Sequence, residues 1–218
     1  MSGPSQSSPD SPNSPILDPT LIAIVLDRSG SMSGLRDDTI GGYNTFLGDQ
    51  QKEPGEAMLL RVLFDHEYGP IEGPLPIKDA KALDTSSYVP RGDTALLDAI
   101  GRTISDIDGR LAAIPTDMVK PRVLVVIITD GQENNSKEFT KPRVLEMITE
   151  RRNTGWEFRF LSADEGGIAD AQAIGIPQIH IHLSGRGRAG VEESFATSSV
   201  ATSNFRRGGS SGNSGQVN

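Results

Sequence analysis

Leu21 to Leu26 is an unbroken apolar run of strand length, and it stops at Asp27-Arg28-Ser29-Gly30-Ser31. Such a run reads as one strand buried on both faces, the pattern of a parallel sheet. Open parallel sheets bind ligands in the crevice beyond the carboxyl ends of their strands, so the polar loop falls where a site belongs. Asp27, Ser29 and Ser31 offer a carboxylate and two hydroxyls at alternate positions, and Gly30 lets the loop curl. Hard oxygens aimed at one point suit a small divalent cation such as magnesium.

Hydroxyls alone would hold such an ion weakly, so partners are expected from elsewhere in the chain. Two segments offer them. The stretch Arg91-Gly92-Asp93-Thr94-Ala95-Leu96-Leu97-Asp98-Ala99-Ile100 puts a threonine hydroxyl at the start of a helical pattern, after a glycine that permits close backbone approach. Val123 to Thr129 reads as a second buried strand, and Asp130 ends it before the turn Gly131-Gln132-Glu133-Asn134.

D-x-S-x-S after the first strand, G-x-T-x-L-x-D-A-I at the head of a helix and T-D-G-x-x-N after a central strand resemble the von Willebrand factor type A domain. In that family these motifs make the metal-ion-dependent adhesion site, and here they keep the family's order over about residues 20 to 205. The resemblance implies that Ser29, Ser31 and Thr94 give hydroxyl oxygens to the ion, while Asp27 and Asp130 bind it directly or through water. It implies magnesium or manganese as the cofactor, and an aspartate or glutamate side chain of a partner protein as the outer ligand. Gly30, Asp93, Gly131 and Asp65 stand next to these as supporting positions. Asp93 departs from the small or neutral residue often found before the threonine, and its charge would raise metal affinity while weakening carboxylate capture.

Further along, Leu35, Ile40, Tyr43 and Leu47 recur at near-helical spacing and predict a helix over 34–51. Gly41-Gly42 would weaken it unless something packs very close there, and the sheet is the expected neighbour. Residues 57–67 alternate as a strand, and the prolines around Ile71 to Ile77 confine the next one to an antiparallel sheet edge. Leu96, Ile100, Ile104, Ile107 and Leu111 mark the strongest amphipathic helix. Thr140 and Gly155 frame another. A strand over 157–162, a short helix over 169–174, a last strand over 178–183 and a serine-rich helix over 191–205 complete the pattern. Strands alternating with helices predict a doubly wound α/β fold: a mostly parallel six-stranded sheet with one antiparallel edge strand and helices on both faces. Residues 1–19 are expected to form a disordered Ser/Pro-rich leader and residues 206–218 a flexible Gly/Ser-rich tail.

The chain has 218 residues and no cysteine, which excludes disulfides and thiolate metal sites. A net charge of -8 works against nucleic acid and anionic membrane partners. No run approaches the roughly twenty apolar residues of a membrane span, and the start lacks the build of a secretory signal. A cytoplasmic protein, monomeric by itself, is expected.

Several other features carry plainer readings. Arg91-Gly92-Asp93 spells an integrin-recognised tripeptide but sits in the metal loop, where coincidence explains it. His180 and His182 share one face of the last predicted strand without an obvious third metal ligand. Asp65-His66-Glu67 reads as a polar strand end, Arg186, Arg188, Arg206 and Arg207 as solvated surface, and Trp156 as packing. An enzyme is the rival class. Haloacid-dehalogenase-like phosphatases need a second aspartate where Ser29 stands, and neither G-x-S-x-G nor a Walker loop occurs. A non-catalytic, metal-dependent binding module of stand-alone bacterial or phage type is therefore expected. The alternatives are a subunit of an intracellular AAA+ ATPase or stress-response assembly, and a magnesium-dependent phosphohydrolase.

Overall fold

The computed structural model describes residues 18–130, 133–163, 165–183, 185 and 187–208. Its strands are β1 Thr20–Asp27, β2 Ala57–Phe64, β3 Tyr68–Pro76, β4 Arg122–Thr129, β5 Glu157–Ser162 and β6 Ile181–Leu183. They form one six-stranded sheet in the order β3-β2-β1-β4-β5-β6. Every neighbouring pair is parallel except β2 with β3, which lies antiparallel at the edge. The chain winds outwards from β1 in both directions, so the topological switch point falls between β1 and β4. Asp27 and Asp130 stand at the adjacent carboxyl ends of those two strands.

Both faces of the central strands are buried, which is why their sequences do not alternate. Leu21, Ala23 and Val25 enter one core with Leu96, Ile100, Ile104 and Ile107 of α2 (Leu96–Ala112), and with α3 (Lys141–Asn153) and α4 (Glu165–Ala173). Ile22, Ile24 and Leu26 enter the other, against α1 (Arg36–Lys52) and α5 (Arg188–Arg206). The doubly wound α/β fold expected from the sequence is the one observed.

The departures have physical causes. The strand expected over 57–67 stops at Phe64, because Asp65 turns the chain by accepting the Glu67 N–H on its carboxylate at 2.7 Å. The helix expected from 34 begins at Arg36, after a 3₁₀ turn over Gly30–Leu35. The last strand is three residues, not six. Pro177 precedes a 3₁₀ turn, Gln178–His180, and β5 pairs with β6 only over Phe160–Ser162. His180 therefore sits in a turn, and the pair His180 and His182 does not share a strand face. The helix expected over 169–174 runs from Glu165 to Ala173.

α5 also corrects the reading of the basic residues. Arg206 is 3% exposed and donates to the carbonyls of Gln50, Glu53, Pro54 and Gly55, thereby satisfying backbone groups around the end of α1. Gln50, fully buried, donates to the Ser199 carbonyl and to the Ser203 hydroxyl. Arg207 pairs with Glu53 and Arg188 with Glu192, while Arg186, the leader and most of the tail lie outside the described residues. Trp156 packs as expected, its ring stacked 6.1 Å from that of Phe158.

The close approach at Gly41-Gly42 comes from α5 rather than from the sheet. A Cβ on Gly42 would lie 2.2 Å from Cδ2 of Phe195, whereas one on Gly41 would meet nothing within 4 Å. Gly42→Ala is expected to lower stability by about 1–3 kcal/mol through overpacking, outweighing a helix-propensity gain of about 1 kcal/mol. Gly41→Ala keeps that gain. Urea unfolding of both variants checks the contrast, and equal effects would contradict it.

Candidate metal centre

Three loops meet beyond β1, β4 and the start of α2, and backbone hydrogen bonds fasten them together. The Gly30 N–H donates to the Gly92 carbonyl at 2.9 Å, and the Arg91 N–H to the Arg28 carbonyl at 2.7 Å. Gly92 is held at φ +66, and a Cβ there would overlap the His66 ring, so glycine is required. Thr94 follows two residues later, so the Gly30–Gly92 bond brings its loop alongside Ser29 and Ser31. The Thr94 N–H donates to the Asn134 side chain at 2.9 Å, and its carbonyl accepts the Asn134 and Asn135 N–H groups. That ties the second loop to the third.

Within this frame the side-chain oxygens form a chain. The Ser29 and Ser31 hydroxyls are 2.9 Å apart, and the Ser31 hydroxyl donates to Oδ1 of Asp130 at 2.7 Å. Asp27 is fully buried; its Oδ1 accepts the Ser29 N–H at 2.6 Å and its Oδ2 the Thr129 hydroxyl at 2.6 Å. Neighbouring ligands in an octahedral magnesium shell stand about 2.9 Å apart, given metal–oxygen distances of about 2.0–2.1 Å. These are hydrogen-bond separations, and they equal the edge length of such a shell, so an ion could take these oxygens with little movement; the donors are all hard. A divalent cation therefore fits the residues present.

The supporting positions differ in what they do. Asp93 accepts from the Asn135 side chain at 2.8 Å, so part of its charge is engaged beside the site. Asp65 is fully buried and pairs with Arg28 at 3.0 Å and Arg91 at 2.9 Å. Asp65, His66 and Glu67 bring ligand-type atoms within 4.8 Å of one another, yet guanidinium groups already balance that cluster. Gly131 lies outside the described residues.

Several anchors escaped the sequence reading. Glu133 accepts the Leu97 N–H at the head of α2 and the Asn135 and Ser136 N–H groups. Asp98 accepts the N–H groups of Lys137, Glu138 and Phe139. Burial pushes Asp98 upwards, but these three amides more than offset it and hold the carboxyl below its usual range. Together they lash the loop after β4 to α2. Tyr88, fully buried, donates its hydroxyl to the Asp27 carbonyl at 2.5 Å. An acid three residues before Ser136 was the visible signal for Glu133; a single tyrosine in an irregular loop gives none.

No family model matches the chain, and no curated protein matches it in sequence. Solved structures do. The pilus adhesin SpaC from Lactobacillus rhamnosus GG, in an open conformation, has a TM-score of 0.65 at 14% identity, covering 87% of this chain and 30% of that one. The von Willebrand factor domain of the type V pili tip protein Mfa5 from Porphyromonas gingivalis gives 0.60 at 10% identity over 93% and 99%. Proximal thread matrix protein 1 from the mussel byssus, with a zinc-occupied metal-ion-dependent adhesion site, gives 0.55 at 15% over 84% and 46%. The chain thus spans about a third to a half of the length of two of these proteins. Its fold is that of a von Willebrand factor type A domain. No described helix is long and apolar enough to cross a membrane.

Burial pushes Asp27 up to about 6 from an ordinary 3.8; hydrogen bonds from Thr129 and Ser29 oppose the shift, and the nearby Asp130 charge adds to it. Without metal, the folded chain therefore keeps this proton at pH values where the unfolded chain has released it. Stability from this group is full below pH 3.8 and lost as pH rises through about 6, a change of about 3 kcal/mol. Asp27→Asn is expected to abolish that loss. Chelated wild type and variant, unfolded in urea at pH 4.5 and 7.5, check it; parallel pH profiles would contradict it.

Proposed function

We propose that this domain is a non-catalytic protein-binding module. A divalent cation, magnesium or manganese, is held by Ser29, Ser31 and Thr94 with Asp27 and Asp130, and it accepts a carboxylate from an aspartate or glutamate of a partner protein. The supporting observation is the chain of oxygens drawn from the loops after β1 and β4, spaced like the edges of an octahedral shell. The fold agrees with it. The zinc-occupied site of the mussel protein and the adhesin role of SpaC support the same reading by similarity.

The chain's own groups divide the work. With Asp27 and Asp130 acting through water, the neutral hydroxyls leave the ion's charge largely uncancelled, so it attracts an outside anion. Asp27 stays fixed by Ser29 and Thr129 and would balance part of the ion's charge, and Tyr88 holds the Asp27 backbone in place. Bound metal supplies electrostatic attraction for the partner's acid. The cytoplasm remains the proposed compartment, against which stand the pilus proteins among the similar structures; cell fractionation separates the two.

Calorimetry with magnesium, manganese and zinc chlorides tests the site. Wild type is expected to bind at least the first two, with loss on adding chelator. Asp27→Asn and Thr94→Ala are expected to weaken binding by tenfold or more, about 1.4 kcal/mol, while circular dichroism stays unchanged. Undiminished affinity in both variants would place the ion elsewhere.

A further inference from the structure

Arg91 borders the metal loop, since its N–H donates to the Arg28 carbonyl. Its side chain is 48% exposed and makes two ion pairs, Nε with Asp65 at 2.9 Å and Nη2 with Glu67 at 2.5 Å. The two acids are not equivalent. Asp65 is fully buried, also pairs with Arg28, and accepts the Glu67 N–H, so it stays where it is. Glu67 is 62% exposed, and its only other ionic neighbour among the described residues is His66 at 4.0 Å. Exposed ion pairs of this kind are weak, because water screens both partners.

Arg91 shares a shallow groove with Tyr68, Pro70 and Val89, and Val89 is 49% exposed. A guanidinium anchored through Nε on buried Asp65, with only its Nη2 arm engaged by exposed Glu67, lies next to apolar surface and adjoins the site proposed for the cation, and this matches a particular ligand chemistry. It suits an exposed segment with two carboxylates and an apolar neighbour. The chain's net charge of -8 repels acidic partners at large, so local cations must supply the attraction.

We propose that Arg91 receives a second carboxylate of the partner, displacing Glu67, while the first binds the ion. The partner surface is thus a di-acidic extended segment, and Glu67 acts as an internal competitor that sets its affinity. This rests on the metal reading above and adds a selectivity to it.

The test uses the full chain with magnesium, followed by amide chemical shifts. The probes are glycine-based blocked peptides carrying either one glutamate or two, the two being one, two or three residues apart. Acids at alternate positions of an extended segment face the same side, so that spacing is expected to serve best. The best di-acid peptide should bind about three- to tenfold tighter than the mono-acid one. Arg91→Gln should remove that ratio, and Glu67→Gln should widen it. A ratio of one in wild type, or a ratio unaltered in both variants, overturns the assignment to Arg91 and leaves the metal reading standing if binding still needs magnesium. Absence of magnesium-dependent binding by any of the peptides overturns both.

Discussion

A fully buried carboxylate governs this structure. Asp27 sits where two parallel strands end side by side, held by the Ser29 amide and the Thr129 and Ser29 hydroxyls. Those hydrogen bonds do not repay what it loses by leaving water. A domain of this size is stable by only roughly 5–15 kcal/mol in all, so a charge kept there at neutral pH is a substantial expense. A divalent cation held at this site would turn that liability into a determinant of binding, because the same low-dielectric setting strengthens attraction to a positive ion.

The fold explains why the opposing oxygens are in reach. Strand order reverses between β1 and β4, and no helix can cover the gap at that point. What closes it is a lacework of local bonds: Gly30 to Gly92, Thr94 to Asn134, Glu133 to the head of α2, and Asp98 to the loop over 137–139. The loops are therefore positioned by one another as much as by the sheet. On the face away from α2, α5 is fastened at its far end by Arg206 and Gln50 and packed at its near end by Phe195 against Gly42.

Much of this was legible in the sequence. Runs such as Leu21–Leu26 and Val123–Thr129 have the length and β-branched content of central strands, and the prolines around Ile71 favour an edge, so the sheet and its antiparallel strand followed from pattern. The oxygens proposed to hold the ion could be picked out because they lie at strand and helix ends with short, fixed spacing, and the structure joins three of them, Ser29, Ser31 and Asp130. Less visible were features decided by long-range contacts. Nothing local says that Arg206 is a buried cap or that Tyr88 reaches the Asp27 carbonyl. β6 is short because the 3₁₀ turn Gln178–His180 takes the first half of the expected strand, although β5 still offers Glu157–Arg159, and the reach of Phe195 to Gly42 joins two helices far apart in the sequence.

Crystals grown with manganese and measured at its absorption edge test the central claim most directly. An anomalous peak is expected within coordination distance of the Ser29, Ser31 and Thr94 hydroxyl oxygens, with Asp27 and Asp130 bound directly or through water. A peak at Asp65 and Glu67 instead, or none at manganese concentrations that saturate binding in solution, would contradict it.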